Sequence, residues 1–444
     1  MIKLKNSKIF VLGMARSGYE VSKYLSKYDN EIIVTDAKEQ DEDKVKELER
    51  LGVKVVITDK PEELLDNTYD VVIKNPGIKY TNPLIVKADT LNIPVINEVE
   101  AASYFFPEGL QVIGVTGSNG KTTTTNLINE MLKKDGKKVI MAGNMGIPVC
   151  SVLNDLTSDT ILLLEISIQQ LCNMNHFKTN VSILTNLTPT HIDFLDTYEN
   201  YMNTKKRIFN NHTDKDIAIL NLNNEDEINL TRDIKSHKIY FSSTSNTDIC
   251  ITDDYITYFG EKIIKLEDIK LQGTHNYENI CCAIGAVKHY GVKNAAIIKV
   301  LEDFGGVEHR LEYVRTLNNV MYYNDSKATN TVSTTIALKA FNKPTILIMG
   351  GLDRGHSFEP LNDYMKNVKL VVCYGQTKER IEKWAEGLKI PVKVFDNLHD
   401  ATIAAAKKAT AGDVVLLSPA CASWDQYKCF EDRGTEYKKI VNGL

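Results

Sequence analysis

Short apolar runs alternate along the chain with segments whose hydrophobic residues recur every three to four positions. Such runs are typical of buried parallel strands, and the periodic segments are typical of helices that pack on a sheet. The clearest helices are predicted at 276–290 and 401–409. Strands are predicted at 8–12, 31–35, 53–57, 71–73, 94–96, 112–115, 138–141, 160–165, 181–186, 320–323, 345–349, 370–374, 392–395 and 414–417. The alternation predicts an α/β fold with parallel sheets.

The pattern divides the chain into three segments. The first (1–105) and the third (306–444) alternate strand and helix throughout. The middle segment (106–305) changes between 215 and 265 to short strands with turn residues, which predicts a small added sheet. A chain of 444 residues is too long for one hydrophobic core, so these segments are the candidate domains.

A glycine-bounded turn at 117–120 stands between an apolar strand and a helical stretch. This layout is typical of nucleotide triphosphate sites, where loop N–H groups, a lysine and a Mg²⁺-binding hydroxyl face the phosphates. Only two residues separate the glycines, instead of the usual four, so an ordinary turn before a helix is the alternative. The candidate phosphate contacts are Gly117, Ser118, Asn119, Gly120, Lys121, Thr122 and Thr123.

Other polar side chains follow the strands after this turn. Glu165 ends an apolar strand, where a carboxylate could hold Mg²⁺, although a single strand-end glutamate is often only solvated. His191 and Asp193 follow the next predicted strand. Lys205 and Lys206 lie in a later helical stretch, and a solvated basic face would explain both. Their residue types alone do not favour one lysine over the other.

A second glycine-containing turn, at 13–18, follows the first strand. Gly13, Ala15 and Gly18, with Asp36 at the end of the next strand, form a weak dinucleotide fingerprint. The middle glycine of that fingerprint is alanine here, so a plain strand–helix turn is the alternative. A nicotinamide dehydrogenase would use this turn, but it would leave the phosphate-loop lysine and threonine unexplained.

Composition narrows the classes of partner. The chain is 43% hydrophobic and 25% charged, with a net charge of −5, so neither a nucleic-acid partner nor an anionic membrane is indicated. No apolar run approaches the length of a membrane helix, and the first residues lack the apolar core of a signal peptide. The eight cysteines form no Cys-x-x-Cys pair, which favours reduced thiols in a cytoplasmic protein over a zinc site.

Four polar loops in the third segment come at strand or helix junctions. They occupy 305–310, 324–330, 350–355 and 418–425. Ligands of open α/β sheets bind at such junctions, so the loops predict a second small-molecule site. Each loop taken alone could be ordinary turn chemistry.

Taken together, these motifs resemble those of the Mur ligase family over essentially the whole chain. The stretch at 417–434 looks most like the D-glutamate-adding members of the family. The motifs that carry the resemblance are GSNGKTTT (117–124), GNMGIP (143–148), EIS (165–167), HID (191–193), YMNTKKRI (201–208), GTHNYEN (273–279), EHRLE (308–312), NDSKATN (324–330), GGLDRG (350–355) and LSPACASWDQYKCFEDRG (417–434).

The resemblance implies three domains: a Rossmann-like UDP-binding one, a central P-loop ATPase and a Rossmann-like amino-acid-binding one. It implies ATP-dependent addition of D-glutamate to UDP-N-acetylmuramoyl-L-alanine, during cytoplasmic peptidoglycan precursor synthesis, by a monomer with two Mg²⁺ ions. ATP would phosphorylate the substrate carboxylate, and the D-glutamate amine would displace phosphate. Because two anions must meet, cations have to neutralise their repulsion.

The resemblance also implies roles for individual residues. The implied catalytic residues are Lys121, Glu165, His191 and Lys205. The implied Mg²⁺ ligands are Thr122, Glu165, His191 and Lys205, the last as a carbamate. Further ATP contacts would be Asn276, Asn279, Arg310 and Asp325. The UDP-muramoyl end would meet Gly13, Met14, Ala15, Arg16, Ser17, Thr35, Asp36, Asn75, Pro76, Gly77 and Asn144. D-glutamate would meet Lys327, Thr329, Arg354, Ser423 and Phe430.

The chain departs from the family pattern in places. Where the family usually has Glu-x-Ser-Ser-Phe-Gln, the second serine is Ile168 and the phenylalanine is Gln169. The aspartate that often precedes the family histidine is Thr190. None of these changes removes an implied metal ligand, so we expect an active enzyme. A folylpolyglutamate-type ligase shares the ATPase core but not the 417–434 match, and a non-catalytic relative would be expected to lose metal ligands.

Overall fold

The computed structural model describes residues 2–188, 195–271 and 273–444. They form three sheets and two compact units, one up to Phe304 and the other from Gly305 to Leu444. The α/β class and the three-part organisation are confirmed. The domain limits at 105/106 and 305/306 stay predictions.

The N-terminal part contains β1 (Lys8–Leu12), α1 (Arg16–Leu25), β2 (Glu31–Asp36), α2 (Glu42–Arg50), β3 (Lys54–Ile57), β4 (Val71–Lys74), α3 (Pro83–Thr90), β5 (Val95–Ile96) and α4 (Glu98–Ser103). All neighbouring strands are parallel, in the order β3-β2-β1-β4-β5. The chain order reverses between β1 and β4, and ligands of such sheets bind beyond the strand ends at this point. The turns that begin at Gly13 and Asn75 lie there.

The central part contains β6 (Gln111–Thr116), α5 (Lys121–Lys134), β7 (Val139–Gly143), α6 (Val149–Val152), β8 (Ile161–Glu165), α7 (Ile168–Leu171), β9 (Val181–Leu184), α8 (Tyr198–Lys206), β10 (Ile217–Asn221), α9 (Glu225–Leu230), β11 (His237–Ser242), β12 (Ile249–Ile251), β13 (Tyr255–Tyr258), β14 (Glu261–Lys265), α10 (Thr274–His289) and α11 (Asn294–Asp303). Its sheet runs in the order β14-β13-β12-β11-β10-β9-β6-β8-β7.

The short strands predicted between 215 and 265 are present, and they extend this same sheet. Strand β10 pairs in parallel with β9, with Ile217 opposite Val181, so the sheet continues without a break. Only the β12–β13 and β13–β14 pairs are antiparallel, and they lie at the edge. The turn-rich pattern in the sequence therefore reflects an antiparallel edge of the central sheet.

The C-terminal unit contains β15 (Glu312–Leu317), β16 (Val320–Asn324), α12 (Thr331–Lys339), β17 (Thr345–Gly350), β18 (Val368–Tyr374), α13 (Lys378–Gly387), β19 (Val392–Val394), α14 (Leu398–Lys408), β20 (Val414–Leu417) and α15 (Phe430–Asn442). The strand order is β15-β16-β20-β17-β18-β19, and only β15 is antiparallel to its neighbour. The predicted strands and the helix at 401–409 are confirmed here, the helix starting three residues earlier.

The N-terminal and central sheets share one hydrophobic core. Val11 and Val34 of the first sheet belong to the same buried cluster as Val112 and Leu164 of the second. A packed core resists relative movement of its elements, so the strand ends of both sheets keep a defined spacing. No helix among the described residues is long and apolar enough to cross a membrane.

His212 lies in the central part, 3% exposed, within hydrogen-bonding distance of three hydroxyls. Its Nε2 lies 2.7 Å from Thr179 Oγ1 and 3.1 Å from Ser182 Oγ, and its Nδ1 lies 2.7 Å from Ser236 Oγ. Burial lowers the pKa of His212 to about 4. The folded protein therefore holds this imidazole neutral, while the unfolded chain takes up a proton below pH ~6.5.

The free energy of unfolding should consequently fall as the pH drops from about 6.5 towards 4. A shift of this size corresponds to a loss of about 2 kcal/mol between pH 7.5 and pH 5. We expect His212→Gln, which cannot take up a proton, to lack this part of the pH dependence. Urea unfolding of both proteins at the two pH values measures the difference. Equal pH dependence in the two proteins would contradict the assignment.

Candidate active site

The phosphate loop has the predicted strand–loop–helix geometry, with β6 ending at Thr116 and α5 starting at Lys121. Gly117 and Gly120 both have positive φ, and both lie against neighbouring side chains. A Cβ on Gly117 would come within 1.9 Å of Thr185 Oγ1, and one on Gly120 within 2.1 Å of Asn279 Oδ1. The two glycines are therefore required by conformation and by space.

The loop is held by the segment that follows β9. The N–H of Ser118 donates to Asn186 O, and the N–H of Asn119 donates to Asn186 Oδ1, both at 3.0 Å. The hydroxyls of Ser118 and Tyr201 lie 2.7 Å apart. Because these two N–H groups have protein partners, the start of α5 is the better candidate for phosphate binding. Lys121 Nζ lies over the loop, donating to Gly117 O and Ser118 O.

Glu165 ends β8 beside this loop and is 3% exposed. Its Oε1 accepts a hydrogen bond from Asn144 Nδ2 at 2.9 Å. Its Oε2 is buried and has no hydrogen-bond partner among the described residues. A buried carboxylate oxygen without a partner is costly. That oxygen fits a hard cation better than it fits a solvated strand end.

The structure distinguishes the two lysines that the sequence left equivalent. Lys205, in the last turn of α8, is 2% exposed, and its Nζ donates to Thr116 Oγ1 at 3.1 Å and to Gly117 O at 2.8 Å. Lys206 instead forms a surface ion pair with Asp233 at 2.6 Å. Burial lowers the pKa of Lys205 well below its usual value, and the charge of Lys121 adds to the effect.

Two asparagines of α10 lie on one helical face, since they are three positions apart. Asn279 is buried, and its Oδ1 lies 3.4 Å from Thr124 Oγ1, which places it beside the phosphate loop. Asn276 lies in the first turn of the same helix, where its N–H donates to Gly273 O. His191 and Asp193 lie outside the described residues.

The turn at 13–17 forms a pocket at the ends of β1 and β2. The N–H of Met14 donates to Asp36 Oδ2 at 2.9 Å, and the N–H of Gly13 donates to Thr35 O at 2.8 Å. The hydroxyl of Thr35 is buried and has no hydrogen-bond partner among the described residues. A cavity of about 330 Å³ opens here, lined by Leu12, Gly13, Ala15, Thr35, Asp36, Ala37, Thr58, Asp59, Pro61, Asn75, Ile78 and Asn82.

A second cavity, of about 420 Å³, joins this turn to the central part. Arg16 reaches across it, with Nη1 donating to Gly146 O at 3.3 Å. The lining comprises Ala15, Arg16, Ser17, Asn75, Pro76, Gly77 and Glu98 from the N-terminal part, and Gly143, Asn144, Gly146, Pro148, Ser167, Gln169 and Gln170 from the central part. The structure thus brings most of the predicted UDP-muramoyl contacts together around two adjoining cavities.

The two departures from the family pattern have different structural consequences. Ile168 is buried in the core that the two sheets share, so it contributes packing. Gln169 lines the larger cavity, where the family usually has an aromatic ring. Ser167 and Gln170 form a capping box at the start of α7. Glu98 and Gln170 were not predicted as site residues from the sequence, because the cavity they line forms only where the two parts pack together.

In the C-terminal unit, the candidate ATP contact Asp325 is buried between two loops. Its Oδ1 accepts the N–H of Leu311 at 3.1 Å, and its Oδ2 accepts the hydroxyl of Ser418 at 2.8 Å. Burial raises the pKa of Asp325 to about 7. Arg310, the other candidate from this unit, lies in the adjoining loop, where its N–H donates to Val307 O.

The candidate D-glutamate residues lie on loops that are hydrogen-bonded to one another. Leu352 pairs with Ala422, which joins the loop of Arg354 to the loop of Ser423. The Arg354 guanidinium lies 4.8 Å from the ring centre of Trp424, a side chain that is 64% exposed. This arrangement keeps a cation at the surface of the joined loops.

A matching contact lies on the neighbouring loop of the same unit. Lys327 Nζ lies 5.7 Å from the ring centre of Phe430, and Thr329 lies two residues beyond Lys327. The buried Arg433 donates from Nε to Ser326 Oγ at 2.9 Å and so supports this loop. Trp424 and Arg433 were missed, although both lie within the 417–434 motif.

Comparison with known proteins agrees with this arrangement. Three family descriptions match: "Mur ligase MurD-like, N-terminal domain" over 7–97, "Mur ligase middle domain" over 115–287 and "Mur ligase, glutamate ligase domain" over 309–421. A Bacillus cereus (strain AH187) protein named UDP-N-acetylmuramoylalanine--D-glutamate ligase is 43% identical over 446 residues, covering 100% of this chain and 99% of its own. A Bacillus anthracis (strain A0248) protein of the same name is 42% identical, with the same coverage.

Solved structures show the same fold at low sequence identity. The UDP-N-acetylmuramate-alanine ligase MurC of Thermotoga maritima has a TM-score of 0.58 and 17% identity, covering 98% of this chain and 99% of its own. MurF ligase of the same organism, in complex with ADP, has a TM-score of 0.56 and 19% identity, covering 100% of each. The full-length relatives and the three domain matches confirm the resemblance: the chain belongs to the Mur ligase family.

Proposed function

We propose that this protein is an ATP-dependent ligase that adds D-glutamate to UDP-N-acetylmuramoyl-L-alanine in peptidoglycan precursor synthesis. Relatives that carry this activity in their name match the whole chain at 43% identity. The observation that carries the proposal is the meeting of Lys121, Glu165 and Lys205 at one phosphate loop. Each of these side chains suits the transfer of a phosphoryl group to a carboxylate.

The reaction begins with two anions, the γ-phosphate of ATP and the carboxylate of the muramoyl-alanine substrate. The carboxylate oxygen attacks the phosphorus, ADP leaves, and an acyl phosphate forms. Lys121 and the N–H groups at the start of α5 stabilise charge on the transferred phosphoryl group. The D-glutamate amine then attacks the acyl carbon, and the tetrahedral intermediate expels phosphate as the amine loses its proton.

Glu165 supports the assignment of a Mg²⁺ site, because its Oε2 is buried without a described partner. The described residues contain no group of three or more His, Cys, Asp or Glu side chains that could hold a metal. The ligands would therefore be Thr122, Glu165 and a modified Lys205, with His191 from outside the described residues. Two bound Mg²⁺ ions would neutralise the phosphate and carboxylate charges.

Carbamylation of Lys205 follows from its environment. Burial lowers the pKa of Lys205 and so increases the share of its amine that is neutral and nucleophilic. The nitrogen lone pair attacks the carbon of CO₂, an N–C bond forms, one C=O π bond breaks, and the amine releases one proton. The product is a carbamate, an anionic oxygen ligand. Burial beside Thr116 and Gly117 would limit protonation of the carbamate nitrogen and the loss of CO₂ that follows it.

The acceptor amino acid carries two carboxylates and one amine, which suits the cations of the C-terminal unit. Arg354 offers a guanidinium fork for one carboxylate, and Lys327 offers an ammonium for the other. Ser423, Thr329 and the ring of Phe430 would complete this set. Arg310 and Asp325 are proposed as ATP contacts on the family resemblance. We expect a monomer whose partners are these small molecules, without nucleic acid or membrane.

The compartment follows from the chemistry of the reaction. Eight free cysteines and a requirement for ATP are typical of a reducing, ATP-containing compartment. We therefore propose that the reaction takes place in the cytoplasm.

Phosphate release tests the proposed function directly. We expect release with ATP, Mg²⁺ and UDP-N-acetylmuramoyl-L-alanine only when D-glutamate is added. L-glutamate, D-aspartate, L-lysine and glycine, added separately, test whether both the side-chain carboxylate and the configuration are recognised. Phosphate release that does not depend on the added amino acid, or that occurs with folate derivatives in place of the UDP substrate, would contradict the proposal.

A further inference from the structure

Lys74, the last residue of β4, is a buried cation that none of the proposed steps uses. The side chain is 1% exposed, and no carboxylate among the described residues forms an ion pair with it. Its Nζ instead donates to three backbone carbonyls of the turn that follows, at 3.0 Å to Ile78, 3.2 Å to Pro76 and 3.5 Å to Asn75. The ammonium thus occupies the inside of that turn.

Burying a lysine in this way is unfavourable for folding. An ammonium taken out of water loses solvation that three carbonyl dipoles replace only in part. Methionine, of similar length, would fill the same space without that cost. Because the buried Lys74 ammonium lowers stability and, among the described residues, donates hydrogen bonds only to this turn, we infer that it serves the conformation of the turn.

The turn is part of the wall of the UDP-muramoyl cavities. Asn75, Pro76 and Gly77 line the larger cavity, and Asn75 lines the smaller one as well. Within the turn, Asn75 Oδ1 accepts the N–H of Gly77 at 3.2 Å, and Asn75 Nδ2 lies 3.4 Å from Ser17 Oγ. Lys74 therefore supports, from behind, the backbone that faces the ligand.

The same lysine also lies near Tyr80, whose hydrogen bond leads to the opposite wall of the larger cavity. Its Nζ lies 5.4 Å from the ring centre of Tyr80. The Tyr80 hydroxyl donates to Asn173 Oδ1 at 3.0 Å, and Asn173 Nδ2 donates to Val95 O at 3.1 Å. Asn173 follows α7, the helix that places Gln169 in the cavity. The Lys74 ammonium therefore contacts the turn that forms one wall of the cavity and the tyrosine that is hydrogen-bonded to the other wall.

We propose that Lys74 is a positioning residue for the UDP substrate, holding the 75–78 turn in the shape that the nucleotide end requires. The proposal rests on the function proposed above, and it concerns binding of the UDP substrate and not the transfer steps. Lys74 touches the carbonyls of the turn and is not assigned a contact with the substrate.

The proposal predicts a dependence on pH. Burial lowers the pKa of Lys74 to about 8. The titratable groups that face the ammonium are Cys172 and Tyr80, and burial raises the pKa of each, so both stay neutral near pH 8. The Arg207 guanidinium also lies near those two groups. As the pH rises through 8, Lys74 loses its charge and one of its three donors, and the turn loses support.

Calorimetric titration with UDP-N-acetylmuramoyl-L-alanine at pH 7 and pH 9 tests this. For the unmodified protein we expect the Kd to rise several-fold at pH 9. For Lys74→Met we expect a Kd at pH 7 about tenfold higher than that of the unmodified protein, since about 1.4 kcal/mol of turn support is lost. The Kd of this variant should change little between pH 7 and pH 9. The matched control is Lys79→Met, which removes an exposed lysine five residues away.

Steady-state kinetics separates a positioning role from general damage. The KM for the UDP substrate should rise in Lys74→Met, while the KM values for ATP and D-glutamate and the melting temperature stay close to those of the unmodified protein. Tight, pH-independent binding by Lys74→Met would overturn the proposal. If that variant does not fold, a flat Kd between pH 7 and pH 9 in the unmodified protein overturns it equally. Absence of UDP-substrate binding in the unmodified protein would instead contradict the proposed function.

Discussion

Lys205→Ala should lower the rate of D-glutamate-dependent phosphate release by about a thousandfold, the scale of losing one preorganised charge-stabilising group. Lys205 Nζ lies 2.8 Å from Gly117 O, inside the phosphate loop, so its replacement removes the carbamate that we propose as a Mg²⁺ ligand. The KM for the UDP substrate should change less, because Lys205 does not line the cavities described above. Initial rates at saturating substrates measure the effect.

The same variant offers a chemical test of the carbamate. Truncation to alanine leaves space where a short carboxylic acid can place its oxygens, so acetate or propionate should restore part of the activity. The matched control is Lys206→Ala, because Lys206 has the same charge but pairs with Asp233 at the surface. Full activity in Lys205→Ala, or an equal loss in Lys206→Ala, would contradict a metal-bridging carbamate.

Much of the fold is predictable from local pattern. The apolar runs at 112–115 and 160–165 are short, continuous and followed by polar turns, and both are strands in the structure. The two glycines of the phosphate loop were also predicted from the sequence motif. The structure explains why they are needed, because positive φ and close contacts leave few alternatives to glycine. Local pattern predicted the short strands at 217–265 but not that they continue the central sheet, since pairing with β9 depends on partners far along the chain.

The candidate site was predictable only where its chemistry is local. Lys205 and Lys206 are neighbours with the same side chain, and only the packing of α8 against the phosphate loop separates them. The partner of the Asn119 N–H lies 67 residues away, at Asn186. Glu98 reaches the larger cavity because two sheets share a core. Such features depend on tertiary contacts, which no single-sequence pattern reports.

Ile168 shows that a departure from a family motif does not by itself imply a functional change. It departs from a family motif, but its side chain is buried in the shared core. A change inside a motif therefore has a functional meaning only when the side chain faces the ligand. Gln169 satisfies that condition, because it lines the larger cavity.

Glu165→Gln is expected to lower kcat by about a hundredfold to a thousandfold and to raise the Mg²⁺ concentration needed for half-maximal rate. The substitution keeps the size of the side chain and can keep the hydrogen bond between Oε1 and Asn144 Nδ2. What it removes is the negative charge at Oε2, which is buried without a described partner. It also removes the charge that raises the pKa of Lys205.

Calorimetric titration with ATP, with and without Mg²⁺, separates metal binding from a general loss of structure. In the unmodified protein Mg²⁺ should strengthen ATP binding, whereas in Glu165→Gln most of that gain should be lost while ATP alone binds as before. Glu130→Gln, an exposed position on α5, is the matched control. A variant at Glu165 that keeps the full Mg²⁺ effect would show that the buried oxygen serves the fold. The metal ligands would then have to come from Thr122, Lys205 and residues outside the described ranges.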